Sequence, residues 1–248
     1  MTMRLKPTYQ NHVKEWVKGS IILYSILLAI YIVDLIFKIL MPQIMDNSSD
    51  SGLEFVPLMF VFVSGIAMFK PDLKLALANG ISRKTEFTAT LLAALTVATA
   101  FTVLSYFVGC LYNTINHYSS LFNMIYNDYN FQNQGIYYLT EFILDTLATL
   151  GFFVTGYFIG SLYYRMNKAL KIIVSVGVPV LFCIGLPTLA GIFGNGFIIV
   201  KLIIMIIEFF KMVLQNPYYS IIAIIVEIIA AGVFAFLLMR RAPIKEQG

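Results

Sequence analysis

The strongest constraint on this chain is a series of long apolar stretches separated by short polar ones. Crossing the ~30 Å hydrocarbon core of a bilayer takes roughly 20 apolar residues in a helix. Charged residues make up 12% of the chain, against roughly 25% in a soluble domain, and the mean hydropathy is +0.83. The sequence therefore predicts an all-α polytopic membrane protein with a single transmembrane domain over residues 1–248. The predicted spans lie at about residues 20–41, 53–69, 85–111, 136–164, 172–189 and 218–239.

Positive charge predicts the orientation of these spans, because loops on the cytoplasmic side are enriched in Lys and Arg. Fourteen of the 17 basic residues fall in four groups, at residues 1–19, 70–84, 165–171 and 240–248. The loops between the groups, at 42–52 and 112–135, contain none. Six spans with both termini in the cytoplasm place all four groups inside, so we expect this topology.

The segment 197–214 is apolar enough to resemble a further span, although Lys201, Glu208 and Lys211 interrupt it. A crossing there would move the Arg240-Arg241 end to the outside, against the positive-inside rule. We therefore expect an outer re-entrant or interfacial helix between spans 5 and 6.

The net charge of +4 does not indicate a nucleic-acid partner, because the basic residues flank apolar runs instead of gathering on one domain. Cys110 and Cys183 both fall inside predicted spans, so the sequence predicts neither a disulfide framework nor a metal site. The first apolar run is too long for a signal-peptide core and lacks a cleavage site, so no cleavable signal peptide is expected.

Residues 1–19 carry four basic residues and the only tryptophan, Trp16. Val13, Trp16 and Val17 can share one face of a helix, and a basic amphipathic segment of this kind typically lies in the membrane interface. We expect an N-terminal interfacial helix here. The alternative is a solvated tail with a tryptophan anchor.

The most polar segment inside the apolar chain is Phe69 to Phe87, between spans 2 and 3. Lys70-Pro71 is expected to end span 2, since a residue before proline disfavours the α region. Pro71 and Asp72 suit the first turn of a new helix. Apolar contacts are expected from Leu73, Leu75, Ala76 and Leu77. A short helix is therefore predicted at residues 71–78.

This predicted helix has a clear stop signal, and the next helix has a clear start. Asn79-Gly80 is typical of a helix end. Ser82 can cap the following helix, which would begin at Arg83-Lys84. The segment therefore reads as a short helix, a turn and a new helix.

Catalytic motifs are absent from the sequence. The two histidines, His12 and His117, fall on opposite predicted sides of the membrane, and each is expected to be a wet interfacial or loop residue. There is no H-E-x-x-H, no G-x-S-x-G and no G-x-x-x-x-G-K-[ST] phosphate loop. We expect no enzyme activity and no cofactor in this chain.

Three carboxylates inside predicted spans are candidates for a substrate path, because intramembrane acids are costly and often functional. Glu141 and Asp145 lie one turn apart in span 4, and Glu227 lies near the middle of span 6. The alternative for the first two is that they stay wet near the outer surface. Gly156-xxx-Gly160 is typical of close helix packing, either at a dimer face or inside any packed bundle.

The layout and a few local motifs resemble the permease subunits of ABC-2 type exporters. The features are six spans, cytoplasmic termini, a basic N-terminal helix, the NGISRK turn after span 2, Asn216-Pro217 before the last span and an Arg240-Arg241 ending. In size and style the chain is similar to permeases of phenol-soluble-modulin and lantibiotic-immunity peptide exporters.

This resemblance implies that the segment between spans 2 and 3 is a coupling helix that docks on a separate ATPase subunit, which binds ATP and Mg²⁺. It also implies a second copy or a related permease as partner, a location in the bacterial cytoplasmic membrane, and an amphipathic or hydrophobic substrate such as a peptide. The positions assigned to ATPase coupling are Pro71, Asp72, Leu73, Lys74, Leu77, Asn79, Gly80, Ser82, Arg83 and Lys84.

Two other classes of function fit the same sequence. One is an ATP-independent secondary transporter or channel that uses Glu141, Asp145 and Glu227 as a proton or cation path. The other is a membrane protein that senses a peptide, or confers immunity to it, through its outer loops without moving it.

Overall fold

A computed structural model describes residues 5–40, 54–114, 118–181, 188 and 198–242. This part of the chain is helical and contains no β-strand. Its helices are α1 (Leu5–Leu40), α2 (Phe55–Ala78), α3 (Arg83–Asn113), α4 (Leu121–Tyr126), α5 (Gln134–Arg165), α6 (Lys168–Val180), α7 (Ile198–Leu214) and α8 (Pro217–Arg240).

Five of these helices, α1, α2, α3, α5 and α8, are long and apolar enough to cross a membrane. The prediction of an all-helical fold is therefore confirmed for the described residues, and the five apolar helices support the prediction of a membrane protein. The expected fifth span at 172–189 coincides with α6 only as far as Val180, and most of its remainder lies outside the described residues. The expected helix at 197–214 corresponds to α7.

Helix α1 is continuous for 36 residues, which at 1.5 Å per residue is about 54 Å. It shows no break near residue 20, where an interfacial helix was expected to give way to a span. The buried face of its first turns repeats every four residues, at Thr8, His12 and Trp16. Trp16 packs edge-to-face on Phe153 of α5, with ring centroids 5.0 Å apart. Trp16 is therefore a core residue, and the solvated-tail alternative is wrong for it.

Helices α2 and α5 pack with their backbones in contact, and glycines allow it. A Cβ added at Gly65 would lie 2.5 Å from the Phe153 carbonyl oxygen, and one at Gly160 would lie 2.6 Å from that of Ile66. At Gly156 it would overlap the carbonyl oxygen of Phe62. The Gly156-xxx-Gly160 pair is thus used for packing inside the chain.

Around this contact lies one aromatic-rich core. Phe69 of α2 meets Tyr157 and Tyr164 of α5 edge-to-face, and Phe101 of α3 belongs to the same cluster. Helix α8 joins it through Met239. Helix α3 also packs against α1, and several of its buried side chains are alanines, which is typical of helices that pack in lipid.

The expected end of span 2 at Lys70-Pro71 is wrong, because α2 runs through Pro71 to Ala78. An interior proline costs about 3 kcal/mol. Phe69 and Leu73, on either side of it, are both fully buried, and burying one such side chain contributes about 1.5–3 kcal/mol. Packing therefore outweighs the local penalty, and residues 71–78 are the last two turns of α2 instead of a separate helix.

The turn after α2 has the predicted chemistry. Gly80 has a φ of 63°, Ile81 N donates to the Ala76 carbonyl (2.8 Å), and Gly80 N donates to that of Leu77 (3.1 Å), which is a Schellman motif. Ser82 Oγ accepts a hydrogen bond from Thr85 N at 3.2 Å and caps α3. The stop and the cap predicted for this turn are confirmed.

Replacement of Gly156 by alanine is expected to destabilise the protein by about 1–3 kcal/mol, because the added methyl must push the α2 backbone away. The measurement is the free energy of unfolding in detergent micelles titrated with a denaturing detergent. Gly232→Ala is the control, since its Cβ would meet nothing closer than Val154 Cγ1 at 3.9 Å. Equal stability of the two variants would contradict the packing described here.

Candidate functional site

The α2–α3 connection, defined as Phe69 to Phe87, is fastened to the rest of the bundle on its inner side. Leu73 and Ala76 are buried in the last turns of α2, and Thr85 and Glu86 are buried in the first turn of α3. The connection is therefore a packed end of two helices that are joined by a tight turn.

A buried histidine from α1 links the two halves of this connection. His12 Nε2 lies 2.9 Å from Glu86 Oε1, and its Nδ1 lies 3.6 Å from Asp72 Oδ2. The exposed fractions are 4% for His12, 6% for Asp72 and 1% for Glu86. The prediction of a wet interfacial histidine is therefore wrong for His12, while His117 lies outside the described residues.

A cavity of about 480 Å³ opens beside this histidine. Its lining comes from three helices: Thr8, Asn11 and His12 of α1, Asp72 and Leu75 of α2, and Glu86 of α3. Polar groups from distant parts of the sequence thus meet around one space at this end of the bundle.

A second fastening joins the connection to the end of α8. The Arg83 guanidinium donates hydrogen bonds to the backbone carbonyls of Met239 (2.9 Å) and Arg240 (2.7 Å). These carbonyls belong to the last turn of a helix, where backbone acceptors have no partner within the regular helix and a positive charge is favourable. Arg83 therefore ties the start of α3 to the C-terminus of α8.

The structure divides the predicted coupling residues into buried and accessible ones. Asp72 and Leu73 are buried, and Lys74, Leu77 and Arg83 are half-buried. The rest are exposed, as is Leu75, which was predicted to make an apolar contact but was not among the residues assigned to coupling. We call the exposed set the turn surface: Pro71, Leu75, Asn79, Gly80, Ser82 and Lys84.

A second polar cluster lies at the opposite end of the bundle, about 24 residues, or roughly 36 Å, back along α2. The Glu54 carboxylate accepts hydrogen bonds from the Tyr118 hydroxyl and from Leu121 N, both at 2.8 Å. Burial and the neighbouring Glu54 charge raise the pKa of Tyr118, so this phenol stays protonated and donates. Ser120 Oγ donates to Glu141 Oε1 at 2.6 Å.

Asp145 lies next to this cluster and lines a small cavity with Glu54. Glu141 is 4% exposed and Asp145 is half-buried, so the alternative that both stay wet is wrong for Glu141. Across the described residues, neither acid forms an ion pair with Lys or Arg. The acidic cluster Glu54–Glu141–Asp145 thus brings three carboxyl groups together without a basic partner in the described residues.

Glu227 is separate from that cluster. It lines another cavity, of about 200 Å³, with Phe62, Gly151 and Ile224, and the Thr155 hydroxyl donates to its Oε1. The structure therefore brings two of the three predicted path residues together and places the third elsewhere.

Sequence reasoning missed two acids and the buried environment of one histidine. Glu86 and Glu54 were not candidates, and His12 was treated as a surface residue. The available signal was the four-residue repeat Thr8, His12 and Trp16, which marks one face of a helix. The partners of that face are far away in sequence, so the repeat alone does not reveal them.

No family model, no curated protein and no solved structure matches the chain.

Replacement of Arg83 by alanine is expected to loosen the end of α8. A hydrogen bond from a charged donor contributes about 1.5–3 kcal/mol. Because Arg83 is half-exposed, we expect a contribution at the lower end of this range. Amide hydrogen exchange at residues 236–240 should therefore accelerate about tenfold. Lys84→Ala removes a neighbouring exposed charge and should leave that exchange unchanged. Unaltered exchange in the Arg83 variant would show that the two contacts do not hold the helix end.

Proposed function

We propose that the chain is the transmembrane permease subunit of an ATP-driven exporter in the bacterial cytoplasmic membrane. A separate ATPase subunit, which binds ATP and Mg²⁺, would dock on the turn surface. The observation that carries this proposal is that the α2–α3 connection is anchored on its inner side by His12 and Arg83 while its outer side is exposed. The turn surface combines an apolar side chain, Leu75, with the positive charge of Lys84.

Such an arrangement is suited to transmitting force. A push on the turn surface would act on α2 and α3 directly, on α1 through His12, and on α8 through Arg83. A flexible loop would absorb the same displacement. Four helices would therefore move together. The close α2–α5 contact, which the glycines allow, would pass this movement on to α5.

The translocation path would lie between two permeases, the second being another copy or a related subunit. Close packing of α2 on α5 fills the centre of the described bundle, which favours a path along its surface. Large apolar side chains are exposed on α1, α3 and α8, and such a lining suits an amphipathic or hydrophobic substrate such as a peptide. Both termini would lie in the cytoplasm.

A second candidate function is ATP-independent transport of protons or cations. The acidic cluster Glu54–Glu141–Asp145 favours it, because carboxyl groups that are buried or half-buried without a basic partner in the described residues are suited to binding a cation. The position of Glu227 in another cavity counts against a path formed by all three predicted acids.

The coupling proposal predicts that Leu75→Asp reduces docking of the ATPase. The chain would be purified in mild detergent from cells that make it with its native partners, and the co-purifying subunit and its ATP turnover would be measured. An introduced charge at an apolar contact should lower both at least tenfold. Met124→Asp at the other end of the bundle is the matched control, since Leu75 and Met124 are 51% and 54% exposed. Equal recovery and equal turnover of the ATPase in the two variants would contradict the proposal that the ATPase docks on the turn surface.

The second candidate is tested by proton uptake into proteoliposomes that contain the chain alone. If the exporter proposal holds, no uptake should occur without ATPase, and Asp145→Asn should not change this result. Uptake that the wild-type chain supports and Asp145→Asn abolishes would establish the ion path instead.

A further inference from the structure

His12 and Asp72 point two buried polar atoms at each other without bonding them. His12 Nδ1 and Asp72 Oδ2 are 3.6 Å apart, beyond the usual 2.7–3.2 Å of an N–H···O hydrogen bond. Among the described residues, neither atom has a hydrogen-bond partner. Both residues are more than nine-tenths buried, and both line the 480 Å³ cavity.

The other ring nitrogen explains why these two atoms face each other unpaired. His12 Nε2 lies 2.9 Å from Glu86 Oε1, so it carries a proton and donates to that carboxylate. In a neutral imidazole the proton on Nε2 leaves Nδ1 with a lone pair. A lone pair and a carboxylate oxygen then face each other, and the gap between them suits a positive charge, either a proton or a metal ion.

The distance between the two atoms fits a bound metal ion. Zn²⁺ binds histidine nitrogen at about 2.0–2.1 Å and carboxylate oxygen at about 2.0–2.2 Å, with tetrahedral geometry. Two ligands of such an ion are therefore about 3.4 Å apart, close to the 3.6 Å observed. A third ligand is near, because atoms of His12, Glu15 and Asp72 all lie within 4.8 Å of one another.

The local charge favours a divalent ion. Asp72 and Glu86 are two buried carboxylates, and within the described residues their only ionic partner is His12. Protonated His12 would neutralise just one of them. Burying an unpaired charge is costly. A divalent cation would neutralise both carboxylates.

We propose that His12 Nδ1, Asp72 Oδ2 and the Glu15 carboxylate bind a divalent transition-metal ion of the Zn²⁺ class. Glu86 accepts a hydrogen bond from His12 Nε2 and so orients the imidazole ring, as carboxylates commonly do for metal-binding histidines. The adjoining cavity supplies the fourth position for water. The ion joins α1 to the end of α2, and this assignment stands whether or not an ATPase docks on the turn surface. Mg²⁺ and Ca²⁺ prefer all-oxygen sites and should not compete.

The test uses the full chain, purified in detergent without a polyhistidine tag and stripped with EDTA. Zn²⁺ binding is measured by titration calorimetry, and Co²⁺ binding by the visible absorption bands of a four-coordinate ion. One Zn²⁺ per chain is expected, unaffected by excess Mg²⁺. His12→Gln and Asp72→Asn should each lower the affinity at least 100-fold, and Glu86→Gln about 10- to 100-fold.

Glu15→Gln separates metal binding from folding, because Glu15 is exposed. It should melt like the wild-type chain in EDTA yet bind Zn²⁺ at least tenfold more weakly. It should also lose most of the stabilisation that Zn²⁺ gives the wild-type chain.

Two control variants should bind Zn²⁺ as the wild-type chain does: Glu208→Gln, at an exposed acid of α7 outside the site, and His117→Gln. The proposal is overturned if wild-type chain takes up no Zn²⁺, or if the Glu15, His12 and Asp72 variants bind it as tightly as wild type; a proton would then bridge His12 and Asp72.

Discussion

The contact of His12 with Glu86 and Asp72 is the interaction on which this end of the bundle depends. It joins residues 74 positions apart and places a polar group of α1 against both halves of the α2–α3 connection. Removal of either partner would leave a buried charge without compensation, which is far more costly than loss of a surface ion pair. The position of the first turns of α1 therefore follows from this contact together with the packing of Trp16 on Phe153.

The close contact of α2 with α5 fixes the position of the middle of α2. Backbone meets backbone where glycines replace side chains, and packed interiors of this kind transmit displacement instead of absorbing it. Helix α2 thus has a rigid middle and an end that carries the turn surface. This combination is the physical basis for the proposal that the connection works as a lever.

The parts of the fold that depend on local chemistry could be predicted from the sequence. The turn at Gly80 ends α2 and Ser82 caps α3, because each of these features is determined by a few neighbouring residues. The helix end predicted at Pro71 was wrong, because burial of the neighbouring side chains outweighs the cost of a proline inside a helix. Glu54 and Glu86 could not be found, because what makes them notable is burial among partners more than 60 residues away.

The central claim, that a buried contact between α1 and the α2–α3 connection holds this end of the bundle together, is tested most directly by a double-mutant cycle. The free energy of unfolding would be measured in EDTA for the wild-type chain, for His12→Gln and Glu86→Gln, and for the double variant. The account predicts a favourable coupling energy of about 0.5–3 kcal/mol between the two residues. Additive effects of the two substitutions would contradict it.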